Sequence, residues 1–177
     1  QVSRWSKQYL DSETETIDSM NSLIDWLPNN LPTEKRTGIV HGDYSLTNVM
    51  IGKNDPNVIA ILDWELSTLG DPCADFNYHC LQYTMNPKLA DKEYCKNQGI
   101  PVIDDYVKMY SEKIEIDLTE EWDLYSAYNL FKLAGILQGI LGRVRDGTAA
   151  HENAAERASG VRNLSDKAWD LVEKNFL

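Results

Sequence analysis

Apolar residues recur at helical spacing along most of the chain and change period only in one central stretch. Val2, Trp5 and Tyr9 predict a helix over residues 2–10. Ile17, Met20, Ile24 and Leu27 predict a second, amphipathic helix over 13–27, stopped by Pro28 and the run Asn29-Asn30-Leu31-Pro32. Residues 38–40, 48–51 and 58–62 then read as short strands, with a turn over 52–57. Asp71-Pro72 predicts an N-cap followed by proline at the first helical position, opening a helix to about Tyr83. Residues 84–101, with Asn86-Pro87 and Gly99, read as a loop. Further helices are expected over 103–114, from Asp117 or Thr119 to about Arg145, and over about 152–174. The long one shows Trp122, Tyr125, Tyr128, Leu133, Ile136, Leu137 and Ile140 on more than one side, as a central buried helix would; Gly135 and Gly139 would let a neighbouring helix approach closely. The pattern predicts a mainly α domain over residues 1–177 with one small β-sheet.

Charge and cysteine usage narrow the class of partner. Seventeen basic and 28 acidic residues give a net charge of −11, against a nucleic-acid or anionic-membrane surface unless a basic patch exists. Lys35-Arg36 and Arg143 with Arg145 are too small for one. Cys73, Cys80 and Cys95 are odd in number and lack C-x-x-C spacing, which argues against a disulfide framework or zinc site and for a reducing compartment. Cys73 and Cys80 would share a helical face as buried thiols. The most apolar helical stretch, 130–141, is interrupted by Lys132 and Gln138 and is too short for a bilayer; no signal peptide is evident. A cytoplasmic protein is expected.

The chemistry concentrates in two loops. His41-Gly42-Asp43 is followed by Asn48 five residues after the aspartate, and Ile61-Leu62-Asp63-Trp64 brings a second aspartate fifteen residues further on. Phosphoryl transfer needs an in-line hydroxyl and neutralised phosphate charge in fixed geometry. Asp43 suits the first need, because a carboxylate accepts the hydrogen bond of an attacking hydroxyl. Asn48 and Asp63 suit the second, because magnesium takes hard oxygen ligands and an amide limits the negative charge facing a nucleotide. Singly, each residue fits a turn cap or a strand end. Together, at strand ends, they predict a phosphotransfer centre with Asp43 as base, Asn48 and Asp63 as magnesium ligands and ATP as co-substrate. Ser45 beside His41 lacks the surroundings of a nucleophile elbow, and His79 is expected to pack or cap. Asp104-Asp105 and Glu120-Glu121 read as solvated helix starts.

These residues resemble the aminoglycoside phosphotransferase and choline kinase group, relatives of the protein kinases. The longer run from Ile61 to Pro72, with Ala74-Asp75 after it, is similar to one subgroup, the kinase-like domain ahead of the dehydrogenase domain in certain multidomain acyl-CoA dehydrogenases and its stand-alone bacterial relatives. Residues 4–9 and 134–139 fit the same subgroup, so the resemblance covers nearly the whole chain. It implies the carboxy-terminal lobe of the protein kinase-like fold, with His41 supporting the loop backbone; from the residues themselves, Asp71 is expected to cap a helix that steadies the metal loop and Asp75 to pair with the catalytic loop. Gly42 stands where protein kinases place an arginine that reads a phosphorylated activation loop, and Trp64-Glu65 replaces Phe-Gly; both point to a small-molecule kinase.

No glycine-rich loop or strand lysine precedes residue 38, and Lys7 and Lys35 lack that context. The chain therefore reads as a fragment, with the amino-terminal nucleotide-clamping lobe missing and little activity alone. The acceptor is a small molecule. The −11 charge would welcome a cationic aminoglycoside or choline, whereas the subgroup implies a hydroxyacyl chain on coenzyme A, with Arg143, Arg145 and Arg162 as candidates to meet its charge. The rival reading is an inactive kinase-like module that binds a ligand or partner. A metal-dependent hydrolase would need clustered His and carboxylate ligands, which the sequence lacks.

Overall fold

A computed structural model describes residues 1–34 and 36–177. Lys35 lies outside the described residues. In chain order these form α1 (Val2–Ser12), α2 (Asp18–Trp26), β1 (Gly38–Val40), β2 (Val49–Ile51), β3 (Val58–Ile61), β4 (Thr68–Gly70), α3 (Cys73–Met85), α4 (Pro87–Ala90), α5 (Lys92–Gln98), α6 (Ile103–Ile114), α7 (Trp122–Arg145), α8 (Ala154–Arg157) and α9 (Val161–Phe176). They fall into two compact units, residues 1–32 with 123–177, and residues 33–122.

In the first unit α2 packs on α9, burying Met20 and Leu23 from one helix and Leu164, Ala168 and Val172 from the other. α1 lies along the small residues of α7. A Cβ on Gly139 would sit 2.8 Å from the Gln8 Nε2 and one on Gly142 2.6 Å from the Ser12 Cβ. The expected close approach at Gly139 is thus present, and Gly142 extends it by a turn. The predicted helix over 13–27 begins only at Asp18. Buried Gln138 explains the break, because its Nε2 donates to the Ser12 carbonyl (2.6 Å) and the Thr14 hydroxyl (3.0 Å), fixing an extended turn between α1 and α2. In α7 Leu130 and Phe131 are fully buried together with Ala127, Ala134 and Gln138, while Leu133, Ile136, Leu137 and Ile140 are half-buried flanks. The last predicted helix is two, parted at Ser159-Gly160.

The second unit holds two separate two-stranded antiparallel sheets instead of the single sheet expected. β1 pairs with β4, Val40 opposite Thr68, and β2 pairs with β3, Val49 opposite Ile61. β4 was hidden in Thr68-Leu69-Gly70, three residues with no alternating pattern to read. The expected loop over 84–101 contains α4 and α5. Each short helix is capped by an Asx side chain: Asn86 accepts from the Lys88 N–H and Asp91 from the Glu93 and Tyr94 N–H groups; Gly99 ends α5 at φ 67°. α3 and α6 pack through Phe76, which stacks on Tyr110 at 3.7 Å and meets Tyr106 edge-on. Cys73, Cys80 and Cys95 are buried free thiols. No helix among the described residues is long and apolar enough to cross a membrane.

Candidate active site

Strand pairing places the two chemistry-bearing loops. Residues 41–48 lead from β1 to β2, and residues 62–67 lead from β3 back to β4. Since β1 pairs with β4 and β2 with β3, the loops run side by side between the same two sheets. Backbone bonds close the gap, with the Leu62 N–H donating to the Asn48 carbonyl at 2.8 Å. The close approach also explains Gly42, which sits at φ 87° where an added Cβ would lie 2.4 Å from the Leu66 carbonyl oxygen. Arginine, or any other side chain, has no room there.

His41 is buried and both its ring nitrogens are engaged. Nε2 lies 2.7 Å from the Leu62 carbonyl, which can only accept, so Nε2 carries the proton; Nδ1 then accepts the Asp43 N–H at 3.2 Å. This neutral imidazole ties the backbone of one loop to the other and leaves neither nitrogen for proton transfer. Its ring lies 4.6 Å from that of Trp64, whose Nε1 donates to the Ile61 carbonyl at 2.9 Å.

α3 grips the first loop from behind. The Asp75 carboxylate accepts the His41 N–H and, at 2.9 Å, the Gly42 N–H. One turn further, the Tyr78 hydroxyl hydrogen-bonds to the Asp43 carboxylate; burial first, and then the Asp43 charge, push the phenol above its ordinary value, so it stays a donor. Asp71 begins the helix: its Oδ1 accepts from the Cys73 N–H at 2.9 Å. Burial, and then the Asp71 carboxylate, push the Cys73 thiol up to about 12, so it is no nucleophile.

Asp43 and Asn48 are in direct contact. The Asn48 Nδ2 donates to the Asp43 carbonyl at 2.9 Å and to its Oδ2 at 3.0 Å, which leaves Oδ1 as the amide atom able to meet a cation. Asp63 lies two residues beyond the end of β3, exposed, in the left-handed region at φ 63°, ψ 60°. An L-residue other than Gly, Asn or Asp is rare in that conformation. Asp63 is therefore one residue beyond Leu62, which bonds Asn48, while no hydrogen bond joins its carboxylate to Asp43 or Asn48. Among the described residues no three His, Cys, Asp or Glu side chains gather into a self-contained metal centre. A divalent ion here would have one carboxylate and one amide from the chain, which fits magnesium, an ion that keeps several waters and phosphate oxygens.

Tyr78 was missed in the sequence, although its i+3 spacing from Asp75 was the available signal. The aromatic row beside Asp43 was missed as well. Tyr44 contacts His79 (5.7 Å between centroids), and the His79 Nε2 meets the Tyr106 hydroxyl at 3.3 Å. Burial lowers the His79 titration, which keeps it neutral and packed.

The paired loops, the helix that clamps them and the mainly helical frame define a kinase-like phosphotransferase. A match to the family described as "Phosphotransferase enzyme family" spans residues 1–128, and the chain belongs to that family. It is 42% identical to a Ralstonia eutropha JMP134 protein assigned as an aminoglycoside phosphotransferase, whose crystal structure it matches with a TM-score of 0.90 over 99% of this chain and 55% of that one. It is 38% identical to mouse acyl-CoA dehydrogenase family member 10 over 98% of its length, and 33% identical to human acyl-CoA dehydrogenase family member 11 over 99%. The chain spans 17% and 23% of the length of these two relatives. The kinship read from residues 61–75 is therefore present, and the protein kinase-like fold with it.

Proposed function

We propose that this chain carries the base and cation ligands of an ATP- and magnesium-dependent small-molecule kinase that phosphorylates an acceptor hydroxyl. The observation that carries this reading is the side-by-side course of the two loops, tied by His41, with Asp43 and Asn48 on one and Asp63 on the other. The acceptor oxygen attacks the γ-phosphorus as the bond from that phosphorus to the β–γ bridging oxygen breaks, ADP leaves, and the hydroxyl proton passes to Asp43. Asn48 and Tyr78 hold that carboxylate in one rotamer, so it meets the hydroxyl without reorganising. Asn48 Oδ1 and Asp63 would hold magnesium, which supplies charge neutralisation at the phosphates.

The acyl-CoA dehydrogenase relatives support a hydroxyacyl acceptor carried on coenzyme A, and the Ralstonia structure supports an aminoglycoside-like alcohol. We take the hydroxyacyl acceptor first, because net charge is a poor guide to one pocket. The cysteine usage supports a cytoplasmic setting. Among the described residues no glycine-rich hairpin or strand lysine clamps the nucleotide, so the test supplies an amino-terminal kinase-like lobe together with this chain. Hydroxyacyl-CoA should then drive ADP formation, and Asp43→Asn should lower the rate about 10²- to 10⁴-fold with little change in KM. Turnover with aminoglycosides alone would replace the acceptor. Magnesium-nucleotide binding without turnover of either would favour the inactive module.

A further inference from the structure

The first unit carries a second charged site, built from residues other than Asp43, Asn48 and Asp63, and it includes Arg143 and Arg145, two of the arginines considered from sequence for the charge of coenzyme A. A cleft of about 380 Å³ opens between α1 and the carboxy-terminal end of α7, over Gly139 and Gly142. Its walls bring together Arg4, Lys7, Arg143 and Arg145 against two acids, Asp11 and Asp146. In a chain of net charge −11, a local excess of two positive charges is a reversal of sign.

The two acids are already engaged. The Lys7 Nζ lies 2.6 Å from the Asp11 carboxylate, and Arg145 donates to Asp146 through Nε at 2.8 Å and Nη2 at 3.2 Å while its Nη1 reaches the Glu13 carbonyl at 2.9 Å. Arg4 and Arg143 have no carboxylate partner among the described residues; the Arg4 guanidinium stacks over the Trp5 ring at 5.0 Å, which gives that flexible side chain a seat. Gly139 and Gly142 let α1 lie close on α7, with Gln8 and Ser12 in the space that side chains there would take, and this approach brings the cations of the two helices to one cleft. Arg162, the third arginine considered from sequence, lies outside this cleft and pairs with Glu15 at 2.7 Å.

We propose that this cleft is a binding site for a phosphate-bearing anion, gripped by Arg4 and Arg143 and flanked by Lys7 and Arg145. A guanidinium presents parallel N–H donors that match two phosphate oxygens, and two of them balance a dianion better than a single carboxylate. The flanking ion pairs are exposed and contribute little to folding, which leaves Lys7 and Arg145 able to turn toward a ligand.

The test is calorimetric titration of the chain itself, without magnesium and at low ionic strength, with inorganic pyrophosphate, adenosine 3′,5′-bisphosphate and tricarballylate. Pyrophosphate should bind one per chain, and Arg4→Gln and Arg143→Gln should each weaken it about tenfold at unchanged thermal midpoint. Asp11→Asn frees Lys7 and should tighten binding several-fold. Tighter binding of the bisphosphate than of pyrophosphate would identify a nucleotide-type source; the reverse order would identify a free phosphate source. Asp43→Asn should leave the titration unchanged, so the site stands or falls separately from the phosphotransfer centre. Absence of binding, equal affinity for tricarballylate, indifference to both arginine changes, or loss on Asp43→Asn would overturn the proposal.

Discussion

The two units place charge by opposite means. In residues 33–122 the acidic side chains of the site stand on loops or at the start of α3, and backbone or side-chain hydrogen bonds hold most of them: Asp75 by two N–H groups, Asp43 by Asn48 and Tyr78, Asp71 by the Cys73 N–H. In residues 1–32 with 123–177 the basic side chains of the cleft stand on regular helices, and their contacts are exposed ion pairs, a ring and one backbone carbonyl. Chemistry at a reacting centre needs fixed geometry. Capture of an anion needs only net charge and reach. Substitutions should therefore be costly and local in the first setting, and mild and graded in the second.

The sharpest test compares glycines. Gly42→Ala forces a Cβ against the Leu66 carbonyl at φ 87°, and should cost about 3 kcal/mol in urea unfolding. Gly99 has a similar φ of 67° with nothing within 4 Å, and Gly99→Ala should cost only about 1 kcal/mol. In the other unit Gly142→Ala meets the Ser12 Cβ at 2.6 Å, but alanine also favours the helix, so the net loss should be about 1 kcal/mol. Equal losses at 42 and 142 would erase the proposed difference between the units.

Next in size is Asp75→Ala. It strands the His41 and Gly42 N–H groups in a half-buried site and should cost about 2–3 kcal/mol. Asp75→Asn keeps an acceptor but offers an NH₂ toward a donor, and should fall between the two. Unfolding midpoints of the three proteins would check the order; an unchanged midpoint for Asp75→Ala would mean that α3 does not clamp the loop.

Much of this was legible because its signals are local. Helical periodicity located α1, α6 and α7, and the 43–48–63 spacing located both loops. What failed depends on partners distant in sequence. β4 is defined only by β1 across the Asp63 loop, and the break before α2 is made by Gln138, more than a hundred residues away. α4 and α5 were a different error, since Asn86 and Asp91 each announced a cap and Gly99 an ending, but Pro87 was read as a loop signal rather than a first helical position. At the site, residue types showed which side chains could do the chemistry, but not what holds them. Tyr78 and the carbonyls of Leu62 and Leu66 become visible only once the strands are paired.

The smallest effect concerns His79, whose ring is enclosed by Tyr44 and Tyr106. Burial holds its titration below the ordinary 6.5 in the folded chain, so between the two values the unfolded chain binds the proton first. Stability from this residue is thus fully present above about 6.5 and is lost as pH falls through that value toward the folded one. His79→Gln preserves a group able to meet the Tyr106 hydroxyl but cannot titrate, so its unfolding free energy should fall less steeply between pH 7 and 5.5 than that of the parent. Parallel slopes would show that His79 takes up its proton equally in both states, and that the aromatic row beside Asp43 is open enough to admit water.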